Sequence, residues 1–311
     1  MKKIEHNPRR TFLKNLGLVA TLPLLGTWEA HAGHAVKDRS QLVVLTCNIR
    51  VDLPEDAAKG LGWADRREAC LTVIKKQQAD IIGFQEVLRG QFMDLKEQLS
   101  DYMAFGFDGP EMDAFKEGYH GIAKNPIFFS KKRFELRTAG AYWLSETPLK
   151  AGSLSWGSAR ARNASYVRLY DKVAKRELRL TNLHLDHVSN EAKEGQIRVV
   201  LEEAAQYQAD FPQLLTGDFN VGIDSKVYQD IIQAGWVDSY AAVYPGQKPE
   251  GTTHGFKGED PERNKKSKKI DFIFMKGPWQ ALSSQIIKDS YRGKLPSDHY
   301  FVRANLAYRT T

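Results

Sequence analysis

Apolar residues along this chain gather mostly in short runs, and a few segments carry the spacing of a half-buried helix. Gln41 to Ile49, rich in Val and Leu, predicts a strand. Asp65 to Gln77 predicts a helix: Cys70, Val73, Ile74 and Gln77 fall at i, i+3, i+4 and i+7, and three of the four are apolar. Asp80 to Val87 reads as a short apolar strand, and Phe92, Leu95 and Leu99 mark the inner face of another helix. Strand patterns recur at 122–130, 134–144, 164–172 and 177–186. A long helix follows, with Ile197, Val200, Leu201 and Ala204 facing inward. Then come a strand at 213–217, a helix opening near Asp224 and Ser225, and strands at 269–276, near 285–288 and at 299–307. Many strands with few helices between them predict two packed sheets flanked by helices.

The first 32 residues stand apart from this pattern. They read Pro8-Arg9-Arg10-Thr11-Phe12-Leu13-Lys14, an apolar stretch from Leu16 to Gly26, then Ala30-His31-Ala32. Twin arginines, a short apolar core and a small-residue cleavage site form the pattern of a twin-arginine export signal. The apolar core is shorter than the ~20 residues a spanning helix needs. The expected organisation is a signal peptide at 1–32, a linker at 33–40 and one domain at 41–311. The mature protein is expected to be periplasmic or extracellular, monomeric and without a membrane span.

Charge and cysteine content narrow the picture slightly. The chain has 311 residues and a formal charge of +7, but residues 1–32 hold five basic against two acidic side chains, leaving +4 without them. Such a surface tolerates phosphate-bearing substrates without being the strong basic field of a DNA-packaging protein. Only Cys47 and Cys70 occur, so no disulfide framework is available and the core must hold the fold.

Six strand ends present polar side chains: Asn48, Glu86, Asn182 with His184, Asp218 with Asn220, Asp271, and Asp298 with His299. A buried polar group left without a partner costs about 1–3 kcal/mol, so the set is best accounted for if it converges on a shared ligand. Glu86 and Asn48 offer hard oxygen atoms and no cysteine cluster accompanies them, which favours Mg²⁺ or Mn²⁺. His184 and His299 can donate to phosphoryl oxygens as charge builds. Asp271 is a candidate orienter of a histidine. Asp298 and His299 are adjacent and point to opposite faces, placing Asp298 on the metal side unless the backbone turns. Asp218 and Asn220, one residue apart, are expected to share a strand face, with Asp218 polarising a water and Asn220 holding the nucleophile or a phosphate oxygen. The chemistry is in-line attack of water on a phosphate ester.

The stretches Cys-Asn-Ile-Arg, Gly-Phe-Gln-Glu-Val, Asn-Leu-His-Leu-Asp-His, Gly-Asp-Phe-Asn, Lys-Ile-Asp-Phe-Ile and Ser-Asp-His-Tyr occur in this order. Over about residues 41–308 the chain thereby resembles the endonuclease/exonuclease/phosphatase superfamily. That group includes deoxyribonucleases, abasic-site endonucleases, neutral sphingomyelinases, inositol polyphosphate 5-phosphatases and deadenylases. The resemblance implies an α/β (α+β) fold, a four-layer αββα sandwich of two mainly antiparallel sheets flanked by helices, with the site at one end of the sheets. It implies Glu86 as metal ligand with Asn48 beside it, and Asp218 and Asn220 around the attacking water. It also implies His184 and His299 on the phosphate, Asp298 at the metal or behind the histidine, and Asp271 in support. Tyr142 to Pro148, His184 to His187 and Gly251 to Phe256 are similar to a bacterial, largely secreted branch. That branch carries an acidic residue where this chain reads Gly121 to Pro126, and a Phe-Pro pair where it reads Tyr300-Phe301.

Arg162 opens a strand at the height of the site and is expected to contact substrate phosphate, together with Asn182. His187 is read either as a third phosphate contact or as a cap of the helix beginning near Ser189. Asp224 is read as a helix cap, Cys47 as core, and Trp143 and Trp156 as core or lid residues. Lys265, Lys266, Lys268 and Lys269 form a solvated run beside the site. The expected activity is an exported phosphodiesterase, because the site as read holds few guanidinium groups for a dianion. Its substrate would be a nucleic acid, a phospholipid head group or a sugar phosphodiester. A 3'-5' exonuclease or endonuclease acting on RNA or DNA is the alternative within the family. Two other classes compete: a glycosidase using Glu86 and Asp218, which would work in chelator, and a non-catalytic binding protein, which would be expected to have lost Glu86, Asp218 or His299.

Overall fold

β1 (Leu42–Asn48) is buried along its whole length, and its two faces explain why. Val43, Leu45 and Cys47 pack against helices, while Leu42 and Val44 pack against a second sheet. A strand buried on both sides reads as a continuous apolar run, and this one sits inside a stack. The computed structural model describes residues 40–106 and 124–309. Residues 1–32, read as an export signal, residues 33–39 of the expected linker and residues 121–123 of the departing motif lie outside them.

The remaining strands are β2 (Ile81–Gln85), β3 (Tyr102–Phe105), β4 (Ile127–Ser130), β5 (Phe134–Trp143), β6 (Asn163–Asp171), β7 (Arg176–His184), β8 (Gln213–Asp218), β9 (Val237–Asp238), β10 (Asp271–Lys276), β11 (Trp279–Ile287) and β12 (Phe301–Tyr308). They form two six-stranded sheets, ordered β11-β12-β1-β2-β4-β3 and β5-β6-β7-β8-β10-β9. Among the described residues each sheet contains one parallel pair, β1 with β2 and β7 with β8, and the other pairings are antiparallel. Helices α1 (Pro54–Ala57), α2 (Trp63–Lys76) and α3 (Arg89–Gln98) accompany the first sheet. Helices α4 (Asn190–Ala204), α5 (Lys226–Gln233), α6 (Ser239–Val243) and α7 (Pro261–Asn264) follow later in the chain. Alternation repeats on the second sheet: Leu214, Ile273 and Met275 face the first sheet, whereas Leu215, Phe272 and Phe274 face α4 and α5. The result is the four-layer αββα sandwich.

Element boundaries differ from the sequence pattern where short pieces or caps intervene. β3 and β9 have four and two residues, too few to show a period. The strand read at 122–130 is regular only from Ile127, preceded by an isolated bridge between Lys124 and Val87. The cap of α5 is Ser225, not Asp224: its Oγ accepts the Tyr228 N–H. Trp143 and Cys47 are core residues. Lys269 departs from the solvated run, being 2% exposed with its Nζ 3.6 Å from Asp238 Oδ1 and 3.5 Å from the Phe272 ring centroid.

Polar residues lock the two sheets together beneath the site. Asn182 Oδ1 accepts from Gln85 Nε2 (2.7 Å) and Thr216 Oγ1 (3.0 Å), and Gln85 Nε2 also donates to Thr46 Oγ1 (3.0 Å). Asn182 Nδ2 donates to the carbonyls of Phe84 (2.7 Å) and Asn125 (3.1 Å). Gly83 leaves the room: a Cβ there would lie 2.5 Å from Asn182 Oδ1. The expectation that Asn182 contacts substrate phosphate is therefore corrected. It shares a strand face with His184 but lies one pair deeper, fully buried, with its whole amide spent on bridging the sheets. Asn182→Ala would strand Gln85, Thr216 and two carbonyls. We expect a loss of about 2–4 kcal/mol in urea unfolding with KM near the wild-type value; a raised KM with unchanged stability would restore the phosphate role.

Candidate active site

The two parallel strand pairs bring the polar strand ends to one place. Asn48 ends β1, and Glu86 follows β2, its parallel neighbour. His184 ends β7 and Asp218 ends β8, directly paired in parallel register. β10 runs antiparallel to β8, so its first residue, Asp271, is the register partner of Asp218. Asp298 and His299 lie just before β12, with Tyr300 between. The structure thus gathers Asn48, Glu86, His184, Asp218, Asn220, Asp271, Asp298 and His299, and seals Asn182 below them.

Asp218 is the centre of the cluster. Its Oδ2 accepts from Asn48 Nδ2 at 2.9 Å and lies 3.4 Å from His184 Nε2 and 3.9 Å from His299 Nε2. Its Oδ1 accepts the backbone N–H of Asn220 at 2.9 Å. That last bond corrects the simple alternation expected for Asp218 and Asn220. β8 ends at Asp218, and Asn220 takes a left-handed backbone with φ +52°. The pair is held by an Asx-type turn, which Asn tolerates better than most residues. Phe219 between them is fully buried against Phe272 and Phe274. The Asn220 amide then donates to His184 Nε2 (3.0 Å) and the Leu185 carbonyl (3.1 Å). Because the Leu185 oxygen can only accept, the amide nitrogen must face both, and His184 Nε2 is an acceptor with its proton on Nδ1.

Electrostatics separate the two histidines. Burial, with the charges of Arg162 and His299, holds His184 well below the ordinary histidine range, so it is neutral. Burial also acts against charge on His299, but Asp271, 2.9 Å from its Nδ1, outweighs it and holds His299 well above the ordinary value. Burial and the facing Asp271 push the Asp218 carboxyl up to about 7, against the opposing pull of His299, Asn220 and Asn48.

The cluster opens into a cavity of about 730 Å³. Arg50, Arg160, Arg162 and His187 line it together with Glu86, His184, Asp218, Asn220, Asp298 and His299. Arg162 Nη2 lies 3.2 Å from His187 Nδ1, and Ser189, not His187, caps α4. Arg50 is fixed by Asp56 (2.8 Å) and Asp298 (3.5 Å). Sequence reasoning missed Arg50 and Arg160, although Arg160 and Arg162 stand at i and i+2 and Arg50 belongs to the Cys-Asn-Ile-Arg stretch. The expectation of few guanidinium groups is corrected: three border the cavity. Leu53, Pro54 and Glu55, at the start of α1, form wall that no pattern marked. Trp156 packs on Gly195 of α4, and the cavity does not include it.

The donors present suit a hard cation. Ligand atoms of Glu86, His184 and Asp218 lie within 4.8 Å of one another, as do those of Asp218, Asp271 and His299. Both thiols are buried, and burial raises the pKa of each, so neither offers a soft thiolate. Asn48 needs a correction. Its amide nitrogen faces Glu86 Oε1 (3.1 Å) and Asp218, while its oxygen, the atom that would bind metal, accepts the Arg50 N–H at 3.0 Å. In this orientation Asn48 bridges two carboxylates, and Glu86, whose Oε2 also accepts the Val51 N–H at 2.9 Å, and Asp298 are further oxygen donors on the cavity. Asp298 contacts Ser297 and Arg50, and it is Asp271 that meets the His299 ring.

The model of the Endonuclease/Exonuclease/phosphatase family matches residues 45–299, and the chain belongs to that family of divalent-metal-dependent phosphoesterases. A comparison with curated protein sequences gave no match. Among solved structures, an endonuclease/exonuclease/phosphatase from Bacteroides vulgatus is 29% identical with a TM-score of 0.76, covering 86% of this chain and 99% of that one. A mannosyl-6-phosphatase from Bacteroides thetaiotaomicron is 28% identical with a TM-score of 0.74, covering 86% and 100%. The human Nocturnin catalytic domain, bound to sulfate, is 20% identical with a TM-score of 0.65, covering 86% and 94%, and shares the fold.

The Asp271–His299 pair predicts a pH dependence. A histidine raised only in the folded chain stabilises it fully below its ordinary value of 6.5, and that contribution is lost as pH rises through the elevated value. Asp271→Asn is expected to move the His299 ring titration, followed by nitrogen-15 NMR, down toward 6.5. An unchanged midpoint would show that Asp271 does not set it.

Proposed function

We propose that this protein is an exported, metal-dependent phosphomonoesterase acting on a small phosphorylated sugar or polyol. The observation that carries the reading is the set of three guanidinium groups, with His187, on the cavity that also holds Asp218 and His299. A phosphate monoester carries about −1.5 to −2 charge at pH 7, more than a diester, and arginines match its oxygens in pairs. The cavity is of a size suited to a small ligand. The likeness to the mannosyl-6-phosphatase of Bacteroides thetaiotaomicron supports the same substrate class. Export rests on the twin-arginine pattern of residues 1–32.

The chain's own residues suggest the steps. Arg160 and Arg162 bind the phosphate oxygens and aim the phosphorus at the cluster. Asp218, raised toward neutrality, takes a proton from the attacking water. A water–phosphorus bond forms as the ester phosphorus–oxygen bond breaks; the departing alkoxide takes a proton from solvent and leaves as the alcohol, and Asp218 returns its own proton to solvent. The His299 imidazolium, kept charged by Asp271, donates to a phosphoryl oxygen as negative charge accumulates. Neutral His184 is held in one tautomer by Asn220 and stands beside the same oxygens. Glu86 and Asp298 would hold the divalent cation, Mg²⁺ or Mn²⁺, which supplies Lewis-acid charge neutralisation when bound.

A panel of sugar phosphates, p-nitrophenyl phosphate and bis-p-nitrophenyl phosphate, assayed with Mg²⁺ or Mn²⁺, tests the reading. Monoester hydrolysis should dominate, stop in EDTA and return with metal; a clear preference for the diester would restore the phosphodiesterase expectation. Asp218→Asn should lower kcat by about 10²–10⁴. Arg162→Ala should lower kcat/KM for the monoester by about 10- to 100-fold and for the diester far less.

A further inference from the structure

Arg160 and Arg162 lie on the segment between Trp156 and β6, and this segment is tied to the start of α4 by a chain of hydrogen bonds. Asp186, two residues past β7, is fully buried and uses both carboxylate oxygens. Its Oδ1 accepts the Ala159 N–H (3.1 Å), and its Oδ2 accepts the Val188 (2.9 Å) and Ser189 (2.8 Å) N–H groups. Asp186's own N–H donates to Gln196 Oε1 (2.8 Å), and Gln196 Nε2 donates to Ser158 Oγ (3.0 Å). Ser158 Oγ closes the chain by donating to the Arg160 carbonyl at 2.7 Å.

A second anchor lies four residues before Arg160. Ser189 Oγ accepts the Ala192 N–H as the cap of α4 and donates to the Trp156 carbonyl at 2.9 Å. The Trp156 indole rests where Gly195 has no side chain; a Cβ there would meet the ring at 2.4 Å. Trp156 takes a left-handed backbone, φ +55°, which a tryptophan holds only when its surroundings impose it. On the other side, the Leu144 N–H donates to the Arg162 carbonyl at 2.8 Å. The backbone on both sides of the two arginines is therefore fixed by groups that do not line the cavity.

We propose that Ser158, Asp186 and Gln196 are positioning residues that set Arg160 and Arg162 as a preformed anion clamp, rather than leaving them on an adaptable loop. The proposal rests on the phosphate-binding role given to these arginines above. It explains why a buried carboxylate and a buried amide stand before and on α4, remote from the reacting atoms: Asp186 holds the Ala159 N–H, and Gln196 holds the Ser158 hydroxyl that donates to the Arg160 carbonyl. Preorganised guanidinium groups pair with phosphate oxygens without ordering costs at the moment of binding. Such a device acts on ground-state affinity for the phosphate group and leaves the Asp218–His299 machinery in place.

The test uses the full chain with Mg²⁺ and inorganic phosphate as probe, read by isothermal titration calorimetry, beside steady-state kinetics on a sugar phosphate. Ser158→Ala removes the hydroxyl that links Gln196 to the Arg160 carbonyl, and Ser158→Thr restores one. Ser158→Ala is expected to weaken phosphate binding and raise KM by about tenfold. Its kcat should stay within about twofold, its melting temperature should match wild type, and Ser158→Thr should recover both losses. Unchanged phosphate affinity in Ser158→Ala overturns the positioning role. So does a joint fall of affinity, kcat and melting temperature that Ser158→Thr does not reverse. Wild-type protein that hydrolyses the substrate but binds no phosphate overturns the arginine clamp itself, a failure distinguishable because no variant is needed to see it.

Discussion

Two carboxylates, Asp218 and Asp271, occupy directly paired positions on neighbouring buried strands, and the site is organised around that conflict. Like charges so placed cannot both ionise without compensation. His299 compensates Asp271 through a 2.9 Å contact, while Asp218 is left with amide donors and a raised affinity for its proton. The same arrangement therefore yields an acid–base pair with opposite biases: one histidine held charged and one carboxylate held near neutrality. The second histidine, His184, joins neither side of that ion pair; burial and Arg162 keep it neutral.

The conflict is tolerable because the scaffold around it cannot yield easily. Gln85, Asn182 and Thr216 cross-link the sheets one layer below Asp218, with Gly83 providing the clearance. At a second place Arg133 spans the layers, meeting Asp80 at 3.0 Å and Asp171 at 2.7 Å, all three buried. Buried polar bridges of this kind add little net stability over an apolar core, but they fix one register between sheets. A catalytic cluster drawn from both sheets needs that register, because the Asn48 to Asp218 hydrogen bond joins β1 of one sheet to β8 of the other.

The fold and the centre of the site were legible in the sequence for one reason. Strands buried on both faces write themselves as apolar runs, and a polar residue at the end of such a run is conspicuous. Glu86, His184, Asp218, Asp271, Asp298 and His299 all announced themselves in this way. Depth along a strand was not legible. Asn182 and His184 look equivalent at i and i+2, yet one is sealed between sheets and the other faces the cavity. Nor was backbone handedness: alternation placed Asp218 and Asn220 on one face, whereas the chain turns between them. Arginines arriving on loops, such as Arg50 and Arg160, carry no periodic signal, so the sequence reading understated the anion-binding capacity of the cavity and leaned toward a singly charged substrate.

Three residues that border the cavity, Arg50, Glu86 and Asn220, have left-handed backbones, with φ of +58°, +62° and +52°. For Arg and Glu this conformation costs about 1–2 kcal/mol per residue, and for Asn less. Glycine would relax the backbone at each position while deleting a group on the cavity. Stability and activity thus pull in opposite directions at three points of the same wall. A glycine introduced at any of the three would therefore ease the backbone only by removing a charged or amide group from the cavity wall.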